Sequence, residues 1–399
     1  MTISLRHPEA RVAQALACAR ASKDAAPNLP LDPGRRPSRL AALAPQGDGQ
    51  RFALVAIRLL VGAFAILCAI IVPAHSQSLA GLATYLGPDR EQRLIEGAKR
   101  EGELTVYSSM QHDSIAPLQK AFEERYALKM RIWRAAGKDI LRRVTAEARG
   151  NRFDLDVVES DGFALEPLYR EGLLQEVRSP FHADLMPEAL RPHAQWVGTR
   201  VNMFTGVYNT NVVKKEMLPK AYTDLVNPIY KGMLGIEIDD YDWFGMVVGL
   251  LGEERGLKLF RDIVAINGLS VRKGHTMITN LAAAGEVPIG LTIYVQNAEV
   301  AKKNGAPVDW FPIDPVVARP NGVAVAKRAP HPHAALLFYD FMIGEGQRVM
   351  LKREFVPTSR KIPSVLDRIT PHFVDPEIVL DNGPKWQRLY AEVVRSGAR

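Results

Sequence analysis

The sequence predicts an α/β protein with two mixed sheets flanked by helices and a hinge of two crossovers between them. Two observations carry that expectation. Short apolar runs alternate with longer stretches of helical period in two separate blocks, the pattern of strand–helix–strand units. Two further runs, residues 197–208 and 321–326, are extended and show no helical period, so each is suited to carry the chain from one sheet to the other. Two such passages make a hinge, and a hinge between two sheets makes a cleft that can close.

In the first block, residues 104–107 (LTVY), 129–133 and 155–158 (LDVV) read as strands, with helices over 115–126 and 138–149. In the second block, strands are expected over 233–238, 269–271 and 289–292, with helices over 243–251, 256–266 and 276–284. Helices over 334–343 and 345–352 complete the first lobe, and a last helix is expected over 385–394. The expected lobes are therefore residues 77–205 with 323–399, and residues 206–322. In open α/β sheets ligands bind beyond the carboxyl ends of the strands. The loops after the first three strands, at residues 108–112, 134–138 and 159–161, are thus where a site is expected.

Upstream, residues 51–77 read RFALVAIRLLVGAFAILCAIIVPAHSQ, with Arg51 and Arg58, then sixteen mostly apolar residues over 59–74, then the small-residue exit Ala74-His75-Ser76. Residues 51–76 are expected to be a secretory signal peptide cut after Ser76. An uncleaved anchor is the other reading, and the apolar run is shorter than the ~20 residues a bilayer span needs. Residues 1–50, rich in Ala, Pro and Arg without a sustained period, are expected to be an unstructured leader or a wrongly assigned start. The first 50 residues carry seven Lys/Arg and four Asp/Glu, so losing them with Arg51 and Arg58 takes the net charge from +7 to +2. That small excess gives no reason to expect a nucleic-acid partner. Cys18 and Cys68 leave with the leader, and a mature chain without cysteine has no disulfide, thiolate nucleophile or cysteine-ligated zinc.

Six runs match one family in collinear order: GELTVYSSMQHD at 102–113, VYNTN at 207–211, DLVNPIYKG at 224–232, AAGEVPIGL at 283–291, KKNGAPVDW at 302–310 and GVAVAKRAPHPHAALLFYDFMIGEGQ at 322–347. They resemble the extracellular (periplasmic) solute-binding proteins of ABC importers, in particular the ferric-iron-binding branch. The resemblance implies a type II-like periplasmic binding protein fold of two lobes, a small-molecule or metal ligand between them, and delivery to an ABC permease driven by a separate ATPase. It also implies a monomer that is not an enzyme, needs no cofactor and works in the periplasm. Such a protein acts by population shift, because the ligand bridges both lobes only when the cleft is shut.

Members of that branch that hold ferric iron use a histidine after the first strand, an acid after the third and two adjacent tyrosines in the second lobe. Hard Fe(III) suits phenolate and carboxylate oxygens. Here His112 falls one residue from the histidine position, Asp161 at the acid position and Tyr294 just before the expected pair, while no two tyrosines are adjacent anywhere in the chain. If the cargo is ferric iron, the resemblance makes His112, Asp161 and Tyr294 its ligands.

Other residues suit an anion. Ser108 and Ser109 precede a helix whose first N–H groups can hold carboxylate or phosphate. Arg134 and Lys138 flank the loop after the second strand, and Lys273-Gly274-His275-Thr276 opens another helix. Arginine can grip such anions in a bidentate fashion. Each base also reads as a solvated surface charge, Glu159 and Asp161 as helix caps, His112 as a solvated loop residue and Tyr294 as a half-buried aromatic at a strand end. Asp239-Asp240-Tyr241-Asp242-Trp243 places three carboxylates beside two aromatics, a set suited to a metal or an ammonium group. It reads equally as an acidic turn with Asp242 as helix cap and Trp243 as core. A ligand carrying both charges would use both halves of this constellation.

The expected function is capture of ferric iron or a small organic or phosphorus-containing anion in an interlobe cleft. Two rivals remain: a secreted hydrolase, and a ligand-sensing binding protein with no transport role. A hydrolase would need a G-x-S-x-G elbow or an H-E-x-x-H zinc motif, and the mature chain has neither. His331-Pro332-His333 reads as a turn before a helix.

Overall fold

The computed structural model describes residues 78–395; the expected signal peptide and the segment before it lie outside the described residues. Helices α1 (Leu79–Ala83) and α2 (Arg90–Glu101) lead into three strand–helix units. These are β1 (Glu103–Ser108), α3 (His112–Tyr126), β2 (Lys129–Arg134), α4 (Gly137–Arg149), β3 (Val157–Asp161) and α5 (Gly162–Arg170). In α4 the buried Ile140 and Val144 stand four residues apart, so one stripe of the helix meets the sheet, and Glu147 on the same side is buried as the acceptor of the Tyr107 hydroxyl. β2 and β3 run parallel to β1, each reached through a helical crossover.

The long extended run becomes β4 (Val197–Asn209), buried along its whole length. Its first half pairs antiparallel with β9 (Val317–Val325) and its second half with β7 (Ile289–Tyr294) and β8 (Val308–Phe311). β4 therefore belongs to both sheets and joins them into one path of order β2-β1-β3-β9-β4-β7-β5-β6. The second sheet is completed by β5 (Leu234–Glu237) and β6 (Ser270–Arg272), with helices α6 (Tyr241–Leu251), α7 (Glu253–Asn267), α8 (His275–Ala284) and α9 (Val295–Lys303). β9 returns the chain to the first sheet, where it pairs antiparallel with β3. The two crossovers expected from the extended runs are thus present as neighbouring antiparallel strands.

The first core lies between β1, α2, α3 and α10 (Pro332–Ile343), where Phe122 meets Phe338 and Phe341 at ring-centroid distances of 5.1 and 5.5 Å. The second core is built around Phe204, Trp243, Phe244 and Phe260. Short helix α11 (Gly346–Leu351) and strands β10 (Val356–Pro357) and β11 (His372–Phe373) follow. Gln347 from α11 is fully buried and clamps the crossover: it donates to Thr199 O and Met342 O and accepts from the N–H groups of Thr358 and Ser359.

Two expectations need correction. The third strand starts later than expected and runs through Asp161, so Glu159 and Ser160 are strand residues and not loop residues, each 0 % exposed. The last helix, α12 (Pro376–Tyr390), starts nine residues before its expected position, with Asp375 capping Glu377 N and proline at its first position, where no N–H is needed. α12 reaches α5 through the ion pair of Asp381 with Arg170 and packs on the second core through Val379 and Tyr390. Its ring neighbour there is Phe244, 5.3 Å from Tyr390.

Candidate functional site

The carboxyl ends of the parallel strands β1, β2, β3, β5, β6 and β7 lie around a common cleft. One part of it is a cavity of about 440 Å³ bordered by the starts of four helices: Gln111 before α3, Gly137 in α4, His275 in α8 and Asn297 in α9. The first N–H groups of a helix have no partner within it, so the cavity is ringed by backbone donors and positive dipole ends. Two glycines make this geometry possible. Gly274 precedes α8 at φ +98°, a left-handed conformation that side chains resist, and a Cβ at Gly137 would lie 2.9 Å from the Asp161 carboxylate. A second cavity of about 690 Å³ adjoins the first and shares Asp161, Lys273, His275 and Arg319 with it. Phe163, Tyr241, Gln387 and Tyr390 are among its lining residues.

The floor of the smaller cavity comes from the two crossover strands. Arg200 and Asn202 share one face of β4, Arg319 and Asn321 one face of β9, and the register sets Arg200 opposite Asn321 and Asn202 opposite Arg319. All four line the cavity. The alternate residues Val201, Met203 and Ala318 face the other way into an apolar cluster. Asn202 donates to Asn321 Oδ1 at 2.9 Å, and among the described residues its own Oδ1 has no partner. Arg200 forms an ion pair with Glu159, and its side chain is 4 % exposed. The Nε atoms of both Arg200 and Arg319 are buried with no acceptor among the described residues.

A second group forms where the second sheet meets this floor. Arg319 donates to Asp242 at 2.7 Å and to the hydroxyl of Tyr294. His275 stacks on Tyr294 with centroids 4.1 Å apart, and its Nε2 lies 3.1 Å from Asp240. Burial pushes the Tyr294 phenol well above its usual value, and the Arg319 charge offsets only part of that. Burial likewise raises the Asp242 carboxyl while Arg319 pulls it down. Glu237 is raised by burial and then by the nearby Asp240, although it accepts from Gly274 N and Asp239 N.

The residues singled out in the sequence divide into three sets. Ser109, Arg134, Asp161, Thr276 and Tyr294 line the smaller cavity; Lys138, Asp161, Asp240 and Tyr241 line the larger one. Ser108 and Glu159 are buried beneath the cleft: Ser108 Oγ donates to Glu159 at 2.5 Å, and Glu159 is the counter-ion of Arg200. The Ser109 N–H, expected to be free for an anion, donates to Glu159 O at 2.9 Å. His112 is exposed in the first turn of α3 and is not among the residues lining either cavity. The structure thus brings Asp161 and Tyr294 to one cavity without His112. Asp161 also caps α5 by accepting from Ala164 N. Trp243 is core, donating to the Tyr222 hydroxyl, while Asp242 lies inside the first turn of α6 as an ion-pair partner and not at its cap. Among the described residues, no three His, Cys, Asp or Glu side chains are grouped so as to hold a metal ion.

Arg200, Asn202, Arg319 and Asn321 are the residues that motif reasoning misses. Their signal is a polar residue at every second position of an otherwise apolar strand, which places a polar face inside the protein.

Residues 155–379 match the family described as bacterial extracellular solute-binding protein. The chain belongs to that family. Among solved structures, this solute-binding protein is similar to iron-bound HitA from Pseudomonas aeruginosa, with a TM-score of 0.65 and 21 % identity over 73 % of this chain and 99 % of that one. It is equally similar to the periplasmic binding protein AfuA from Actinobacillus pleuropneumoniae with fructose-6-phosphate bound, with a TM-score of 0.64 and 21 % identity over 74 % and 99 %. A curated relative, the Fe(3+)-binding periplasmic protein of Serratia marcescens, is 20 % identical over 199 residues, which are 49 % of this chain and 58 % of that protein. These likenesses show the two-lobed periplasmic binding protein fold.

Proposed function

We propose that this chain is the periplasmic substrate-binding component of an ABC importer, and that its cargo is a small organic anion bearing a phosphate, phosphonate or carboxylate group. The observation that carries the reading is the floor of the smaller cavity. Two buried arginines there have Nε atoms without acceptors, beneath a ring of four helix starts. A buried donor without a partner costs about 1–3 kcal/mol, so both guanidinium groups at the floor keep unmet hydrogen-bonding capacity. The guanidinium fork suits planar or tetrahedral oxyanions. The chain needs no catalytic group for this task, because binding between the lobes is itself the work.

Ferric iron fits less well. Coordination by Tyr294 would set the ion against Arg319, which already donates to that hydroxyl, and would need the phenol to ionise against a raised pKa. The fructose-6-phosphate complex of AfuA shows that the fold accommodates a phosphorylated solute.

A calorimetric and thermal-shift screen of the secreted chain against Fe(III) salts, inorganic phosphate, phosphate esters, phosphonates and carboxylates tests this. A ligand that binds only the folded state at 100 times its Kd adds about 2.7 kcal/mol of stability. The expected result is a shift with an organic anion and no visible phenolate absorption with iron. An iron-dependent colour with no response to anions would refute the reading. Loss of uptake of that anion in cells lacking the protein supports import, and unchanged uptake supports sensing.

A further inference from the structure

Resting on the anion-binding reading, we infer that the cargo is bipolar: an anionic group seated over Arg200 and a cationic, ammonium-bearing end turned into the larger cavity. The two adjoining cavities carry opposite charge. The smaller is lined by Arg134, Arg200, Lys273 and Arg319 against the single carboxylate of Asp161. The larger is lined by six carboxylates, four of them from the segment Glu237–Asp242 after β5, against Lys138, Lys273 and Arg319. Since Lys273 and Arg319 stand where the two meet, the charge changes sign across the shared wall and not at random over the cleft.

A second observation points the same way. Asn202, 6 % exposed, lines the smaller cavity with an Oδ1 that has no donor. The cleft floor therefore offers unmet donors, at the two arginines, and an unmet acceptor beside them. A ligand that satisfies both must carry N–H or O–H groups as well as anionic oxygens. The acidic side favours the charged N–H. Glu237 is 5 % exposed and Asp240 2 %, and their carboxyls face a histidine and backbone N–H groups but, among the described residues, no lysine or arginine at ion-pair distance. The Glu237 carboxyl is raised first by burial and next by repulsion from Asp240, so negative charge there is incompletely balanced. Phe163 and Tyr241, 6.4 Å apart, add aromatic surface of the kind that accepts an ammonium group. The volume of the larger cavity, about 690 Å³, leaves room for a ligand longer than an inorganic oxyanion.

Titration calorimetry on the unmutated secreted chain with two matched pairs tests the inference: 2-aminoethyl phosphate against ethyl phosphate, and 4-aminobutyrate against butyrate. The expected result is that, within the pair that binds, the amine-bearing member binds at least tenfold more tightly. Asp240→Asn then lowers affinity for that member more than for its amine-free partner. Equal affinities within each pair, or tighter binding of the amine-free member, would overturn the bipolar cargo and leave the anion reading standing. If none of the four, nor inorganic phosphate, gives a binding isotherm, both fall. The pairwise comparison needs no variant, so a substitution that fails to fold does not shelter the inference.

Discussion

Arg319→Met should destabilise the protein strongly at pH 7 and much less at pH 5. The side chain of Asp242 is 1 % exposed and takes a 2.7 Å hydrogen bond from Arg319. Breaking a buried ion pair by removing one partner costs about 3–5 kcal/mol, because a charge is left without compensation. Asp242 can escape that cost by taking a proton, and the cost of doing so sets a ceiling. From an unfolded carboxyl pKa of about 3.9, protonation at pH 7 costs roughly 4 kcal/mol, and at pH 5 roughly 1.5 kcal/mol, at 1.36 kcal/mol per unit. Burial already lifts the folded pKa of Asp242 in the parent; without Arg319 it lies higher still, so the variant binds the extra proton over a wider range and loses more stability than the parent as pH rises. The penalty relative to the parent should therefore be about 3–4 kcal/mol at pH 7 and below about 2 kcal/mol at pH 5. Urea unfolding followed by tryptophan fluorescence at both pH values gives the two numbers, and Asp242→Asn added to Arg319→Met should recover most of the loss. A penalty under about 1 kcal/mol at pH 7, or one that is the same at both pH values, would show that the pair does not bear the burden assigned to it.

Other outcomes follow from other buried groups. His182, hydrogen-bonded to the Tyr339 hydroxyl at 2.8 Å, is held neutral by burial, which lowers its pKa to about 4. The unfolded chain gains its proton near pH 6.5 and the folded chain only near 4, so between pH 7 and pH 5 this site should remove about 2 kcal/mol of stability; His182→Gln should flatten that part of the pH profile. Gln347→Leu strips partners from two buried carbonyls and two backbone N–H groups. At about 1–3 kcal/mol per orphaned group, its urea midpoint should fall by an amount equal to 3 kcal/mol or more. Arg200→Lys keeps a cation for Glu159 but loses the planar fork, so the protein should fold while its affinity for the anion found by calorimetry drops roughly tenfold or more.

Most of the secondary structure was legible because its causes are local. Apolar residues in β1 and β2 and the four-residue spacing of Ile140 and Val144 announce their elements without reference to anything distant. The start of α12 was not, because Pro384 reads as a helix breaker although it lies within the helix, and because Pro376 signals a start only once Asp375 is seen to cap it. The site was half legible. Loops at strand ends led to Arg134, Asp161, Asp240 and Tyr294, which all reach the cleft. Ser108 and Glu159 carry the right chemistry but point inward, since a one-residue step along a strand reverses the side chain. Arg200 and Arg319 escaped because each stands singly in an extended run, and what makes them a pair is the antiparallel register of β4 and β9, separated by more than a hundred residues.

That register has a kinetic consequence. The polar floor rides on β4 and β9, the paired strands at the junction of the sheets, whereas the helix starts and the acidic wall come from other elements; on the proposed reading the floor is complete before any closure. A solute can therefore land on the floor first, in a step whose rate scales with its concentration, and be enclosed afterwards in a step whose rate does not. Substitutions on the strands should act mainly on the landing, and those on the walls mainly on the dwell time.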